Sequence, residues 1–235
     1  MSLLLTNTQG KAFTVNGNAL SVERGPGYVT DGLIFWVDGI DKGASDGSWV
    51  DKIGGHIFAH SSNSPTPTDT GFSFDGTNFF YNKTFLEVTA PGTHTIEIAL
   101  SDAQVGDDGY CLFTAYAASY SVKRFYVAFV GSKSKVCLSA AKTHPMYNYT
   151  SAEDIRSIVS CPDGRCYINN VQSVSDENNY YKSTGTVNRI GCGYYNSKAR
   201  HFYKGNIHAI RIYNRSLTAD EVAHNYALDL MRFNL

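Results

Sequence analysis

"YKGNIHAIRIYNRSLTADEVAHNY" (residues 203–226) holds a turn, a strand and a helix start in two dozen residues. Ile210 and Ile212 fall on one face of an extended segment, with Arg211 and Tyr213 on the other. Thr218 precedes Glu221 by three residues, the spacing of a capping box. Leu217 and Val222 occupy the two positions of a hydrophobic staple. Beyond them Val222, Tyr226 and Leu230 recur at i, i+4 and i+8, which predicts one apolar stripe on a C-terminal helix. The stretch therefore reads as a closing strand followed by a capped helix that lies on a sheet.

Working outward, the rest of the chain reads as strands. Its 235 residues are 43% hydrophobic and 17% charged, with 16 Tyr, 13 Phe and 21 Gly. Aromatic and β-branched runs separated by Gly, Asn, Asp and Ser turns predict an antiparallel all-β domain. "GLIFWVDG" (32–39) is nearly continuous apolar strand, and "GFSFDGTNFFYN" (71–82) alternates around an Asp-Gly turn. In "HTIEIAL" (94–100), Ile96 and Ile98 oppose Thr95 and Glu97. "KRFYVAFVG" (123–131), "KVCLSA" (135–140), "IRSIVSCPDGRCYINNVQSV" (155–174) and "VNRIGCGYY" (187–195) continue the series. That many short strands predict a two-sheet antiparallel jelly-roll sandwich.

The N-terminus reads separately. "AFTVNGNALSV" (12–22) carries Asn16-Gly17, the signature of a two-residue type I′ hairpin, and this places Phe13 opposite Leu20. "RGPGY" (24–28) follows as a linker. The expectation is a β-hairpin arm over residues 1–25, presenting Phe13, Val15, Leu20 and Val22 for assembly, and a main domain over 26–235. An arm of that size needs something to pack on.

Several functions find no footing. Lys plus Arg (20) balance Asp plus Glu (21), so no basic face argues for nucleic acid. Leu3–Leu5, the most apolar N-terminal run, is too short for a membrane span or a signal in the chain as it stands. Of the five cysteines, Cys111, Cys137, Cys161, Cys166 and Cys192, most read as small buried hydrophobes. Cys161 and Cys166 in "CPDGRC" face each other across a turn on this reading, which allows a disulfide. Zinc lacks a second Cys or His pair.

The closing stretch resembles the end of laminin-G-like, concanavalin A-like jelly rolls, in which a G-x-I-x-x-V-R-I-Y-N-R-x-L strand leads into a T/S-x-x-E helix. "DGLIFWVDGID" and "SWVDKIGG" resemble that family's opening strand and W-x-D-x-x-G turn. "GFSFDGTNFF", "HTIEIAL", "CYINNVQS" and "IGCGYYNSKARHFYKG" resemble its later segments in the same order, over about residues 31–230. The family implies two curved antiparallel sheets and hosts lectins, adhesins, glycosidases and structural modules. Where its closing strand often carries an acidic pair, this chain has His208-Ala209.

Jelly-roll glycosidases use an E-x-D-x-x-E strand, of which "TIEIAL" keeps only Glu97. Asp107-Asp108 and Asp176-Glu177 read as solvated loops, and His56 with His60 needs a helix the sequence does not suggest. These readings predict no enzymatic activity. Asp38, Asp41 and Asp46 in "VDGIDKGASDG" are hard-oxygen candidates for Ca²⁺ at the rim, but turn-forming side chains explain them better, so no cofactor is expected. Sugar binding needs aromatic faces beside amide or carboxylate groups. Tyr180 and Tyr181, Tyr194, Tyr195 and Asn196, and Tyr147 and Tyr149 offer both on loops.

A short laminin-G-like module with a β-arm resembles proteins displayed on bacteriophage particles. The sequence reading is therefore a surface-displayed recognition or decoration module of a virion. Its arm would contact other assembly proteins, its loops would contact cell-surface or mucus glycans, and several copies would assemble together. A bacterial surface or secreted carbohydrate-binding domain is the alternative, and a glycoside hydrolase the third.

Overall fold

The computed structural model describes residues 27–90, 94–104, 110–116, 124–130, 135–140, 146–173, 183–195 and 198–235, together with four short strands nearer the N-terminus. For those four strands, and for 83–90, 110, 115–116, 124–126, 130, 135, 137–140, 146, 183–188 and 194–195, it describes the backbone alone.

In chain order the N-terminal strands are β1 (Ser2–Leu4), β2 (Thr14–Val15), β3 (Asn18–Ala19) and β4 (Ser21–Glu23). There follow β5 (Leu33–Asp38), β6 (Trp49–Val50), β7 (Ile57–His60), β8 (Thr66–Pro67) and β9 (Phe72–Asp75). The long middle strands are β10 (Phe80–Ala90), β11 (Thr95–Gln104), β12 (Tyr110–Tyr116), β13 (Arg124–Val130) and β14 (Lys135–Ala140). After β15 (Met146–Asn148) come β16 (Ser157–Ser160), β17 (Cys166–Ile168) and β18 (Val171–Ser173). The last are β19 (Ser183–Ile190), β20 (Gly193–Tyr195), β21 (Lys198–Arg200), β22 (Lys204–Tyr213) and the helix α1 (Ala219–Phe233).

Two large antiparallel sheets carry the fold. The first runs β15-β14-β13-β12-β19-β10-β7-β6, and the second runs β18-β17-β16-β11-β22-β9-β8 with β5 also paired to β22. Their apolar faces meet in one core. Phe72 of the second sheet packs edge-on against Phe80 of the first with centroids 4.7 Å apart, and Trp49 lies 5.0 Å from Phe72. Ile96, Ile98, Ile210 and Ile212 fill the same layer, as their alternation predicts. The protein is thus mostly β, two sheets with one C-terminal helix.

The helix forms as its sequence dictates. Thr218 Oγ1 accepts from the Glu221 amide at 3.2 Å, and Glu221 Oε2 accepts from the Thr218 amide at 2.8 Å. Leu217 and Val222 are both fully buried in one cluster with Tyr213 and Val159. The buried stripe differs from the expected one, because it runs Val222, Asn225, Asp229 and Phe233, while Tyr226 and Leu230 are only half-buried. Polar groups on the outer face of the second sheet explain the difference. Arg211 is 1% exposed and donates from Nε to Glu97 Oε2 at 2.9 Å and from both terminal nitrogens to the Asp229 carboxylate. Asn225 donates to Glu97 at 2.9 Å, and Tyr28 donates to Asp229 at 2.8 Å. The helix therefore docks through a satisfied ionic network flanked by apolar patches.

At the N-terminus, β2 pairs with β3 in the register Thr14↔Ala19 and β1 pairs with β4. Phe13 and Leu20 lie outside the described residues, as do the side chains of Val15 and Val22.

The disulfide that the turn between Cys161 and Cys166 allowed is not formed. Both are free and buried thiols, as is Cys192. Ser160 pairs with Cys166, so Cys161 is one residue out of register. A one-residue offset reverses the face: Cys166 lies in the inter-sheet core and Cys161 in the cluster beneath the helix.

Candidate functional site

The outer face of the first sheet carries a strip of partly exposed aromatics. Phe80 points into the core at 0% exposure, so alternation turns Phe79 and Tyr81 outward. Their ring centroids are 6.2 Å apart, and Phe202 lies 6.0 Å from Phe79. Tyr81 pairs with Arg189 across β10 and β19, and the Arg189 guanidinium sits 5.0 Å above the Phe79 ring. All four side chains are half-buried. Thr114, opposite Arg189 on β12, is fixed by its bond to the Cys192 carbonyl at 2.9 Å.

The hairpin β20–β21 leads directly into this strip. Tyr194 pairs with Ala199 and Tyr195 with Lys198, and Phe202 bridges Cys111 just after the hairpin. The side chains of Tyr194 and Tyr195 lie outside the described residues, as do Asn196, Tyr180 and Tyr181. Tyr147 is elsewhere: it is 1% exposed, and its hydroxyl donates to the Gly164 carbonyl at 3.0 Å. No face of that ring is left for a ligand. Tyr149 packs edge-on against Phe129 at 5.5 Å, and burial raises its hydroxyl pKa. Phe79, Tyr81, Arg189 and Phe202 were missed, although "NFFY" shows the outward alternation of Phe79 and Tyr81.

The other candidate groups are engaged within the scaffold. Burial raises the Glu97 carboxyl, Arg211 lowers it, and the Asp229 charge raises it again, because one guanidinium serves two buried carboxylates. Asp38 accepts from the Ile40 and Asp41 amides at 2.9 Å and from Arg232 at 3.0 Å. Asp46 accepts from the Ser48 amide at 2.9 Å, and Asp41 is ion-paired with Lys52. These are turn-stabilising roles. Among the described residues, no group of three or more His, Cys, Asp and Glu side chains could hold a metal ion. Asp107-Asp108 and Asp176-Glu177 lie outside the described residues. No helix among the described residues is long and apolar enough to cross a membrane.

This geometry defines a two-sheet β-sandwich with an aromatic outer face. No family model matches the chain, and no curated protein matches it in sequence. Solved structures do match in fold. A trans-sialidase-active mutant of Trypanosoma rangeli sialidase has a TM-score of 0.61 at 11% identity, over 83% of this chain and 32% of that one. The same sialidase in complex with 2,3-difluorosialic acid, as a covalent intermediate, has a TM-score of 0.61 at 10% identity, over 96% and 36%. The botulinum neurotoxin type G receptor-binding domain has a TM-score of 0.52 at 14% identity, over 85% and 51%. The chain spans about a third of the sialidase chains, and the likeness is one of fold.

These likenesses overturn the expectation that the protein is not an enzyme. That expectation rested on the incomplete E-x-D-x-x-E strand, on Asp107-Asp108 and Asp176-Glu177 read as solvated loops, and on His56 and His60 without a helix. The sandwich is shared with chains of sialidases, which are glycoside hydrolases, so missing sequence patterns carry no exclusion.

Proposed function

We propose that this protein is a carbohydrate-recognising β-sandwich and that it holds saccharide against the outer face of its first sheet. The observation that carries the reading is the half-buried strip Phe79–Tyr81–Phe202 with Arg189 stacked on it. Aromatic rings offer large, rigid apolar area to the C–H face of a sugar ring, and Arg supplies fixed hydrogen-bond donors beside them. The fold is shared with sialidases and a toxin receptor-binding domain, which supports a carbohydrate-related role.

The test is a glycan array with the intact protein beside Phe79→Ala and Tyr81→Ala variants. Binding that falls about tenfold or more in both variants, with unchanged thermal unfolding, supports the site, each factor of ten being about 1.4 kcal/mol. Equal binding by wild type and variants sinks it.

The sialidase likeness also favours a second reading, in which the bound glycoside is hydrolysed. Release of fluorophore from a panel of fluorogenic glycosides, sialosides included, tests it; no release from any of them counts against it. The virion reading has no support from the structural likenesses and rests on residues 1–25 of the sequence. Deleting those residues and measuring assembly with partner proteins decides that reading, and normal assembly by the truncated chain would end it.

A further inference from the structure

A cavity of about 490 Å³ opens on the opposite side of the molecule, where the second sheet meets the C-terminal end of α1. Two irregularities in the β11–β22 pairing build it. Leu100 pairs with Ile207 and Ala99 with Ala209, so His208 is the extra residue of a bulge. Ile207 and Ile210 stay in the core, which turns His208 to the outer face, as bulges do. The register shifts again between Ser101 and Gln104, where Asp102 adopts the left-handed conformation at φ 52°.

The result is a connected set of polar side chains. His208 is 4% exposed and stacks on Phe233 at 5.5 Å. Its Nδ1 lies 3.0 Å from the Thr70 carbonyl and its Nε2 lies 3.0 Å from Ser101 Oγ. A carbonyl only accepts, so Nδ1 carries the proton of the neutral ring, and Nε2 competes with Asp102 Oδ2 for the single proton of the Ser101 hydroxyl. Ser101 Oγ is also 2.8 Å from Asp102 Oδ2, and Asn206 Nδ2 lies 2.7 Å from that same oxygen. The Thr68 hydroxyl, which also lines the cavity, is shielded from solvent and has no hydrogen-bond partner.

The charge balance selects the ligand. Asp69 and Asp102 face a single cation, Arg156, and the end of α1 adds the negative pole of a helix. An anion is disfavoured. A neutral ligand rich in hydroxyls can donate to the carboxylates and to the Asn206 amide oxygen and accept from Arg156, the Asn206 nitrogen being engaged by Ser101 and Asp102. The volume lies within the roughly 300–1,000 Å³ of small-molecule sites. We propose that this cavity is a second binding site, for a single neutral sugar residue, separate from the aromatic face of the other sheet.

Titrating histidine-labelled protein with glucose, galactose, mannose and N-acetylglucosamine, and following the His208 ring by NMR, tests the assignment. At least one of these sugars should shift His208 saturably. Asn206→Ala should weaken that sugar about tenfold through loss of its hydrogen bonds. Asp102→Asn, which keeps a residue tolerant of left-handed backbone, should weaken it as well. Tyr81→Ala, on the opposite sheet, should titrate as wild type even if the aromatic face binds nothing. Silence of His208 toward all four sugars overturns the proposal, as does an equal response to N-acetylneuraminic acid.

Discussion

Arg211 shows how one side chain can decide a docking geometry. It sits fully buried between Glu97 and Asp229, so removing it leaves two carboxylates without their cation. Arg211→Met should destabilise the protein by about 3–5 kcal/mol in chemical denaturation, because an uncompensated buried charge costs more than the pair returns. His208 gives a pH dependence with a definite sign. Burial lowers its pKa from 6.5, while Asp102 and Asp229 raise it and Arg156 lowers it further. The unfolded chain therefore takes up the proton first. This contribution is whole above about pH 6.5 and is lost as the pH falls toward the depressed folded value. Denaturation midpoints of wild type should drop over that window more steeply than those of His208→Gln. The thiols offer a third check at this scale. Burial pushes Cys161 and Cys192 up to about 11. In the native protein both should resist alkylation, read by mass spectrometry of the labelled peptides, and react once unfolded.

At the scale of elements, the closing helix was legible where its signals are local. Thr218 and Glu221 are three residues apart, and their reciprocal bonds follow from that spacing alone. Arg215 adds a bidentate pair to Glu221 at 2.9 and 2.7 Å, and its hydrogen bonds lower that carboxyl to about 2. Thr218→Ala should cost about 1 kcal/mol, as loss of an N-cap does, measured by urea denaturation. The buried stripe was not legible, because Asn225 finds its partner Glu97 128 residues away. A periodicity of apolar residues cannot register a polar face that a distant strand satisfies. The Cys161–Cys166 turn forms as read, but whether its cysteines meet was open for a related reason: the sequence shows the turn and not its register, and one residue decides the face.

For the whole molecule, the alternation in "HTIEIAL", "GFSFDGTNFF" and "AIRIY" was enough to place a two-sheet core, since each strand declares its own buried face. Sites are harder, because they join elements that no pattern links. Phe79 and Phe202 are 123 positions apart and meet only once β10 and the β20–β21 hairpin lie side by side. Ser101 and His208 meet through two bulges that interrupt the alternation used to read the strands. The central claim is that saccharide is held on the aromatic face of the first sheet. A glycan array comparing the intact protein with Tyr81→Ala tests it most directly. The account predicts specific glycan signals from wild type that Tyr81→Ala loses, with both proteins unfolding at the same temperature. Signals of equal strength from the two, or none from wild type, would contradict it.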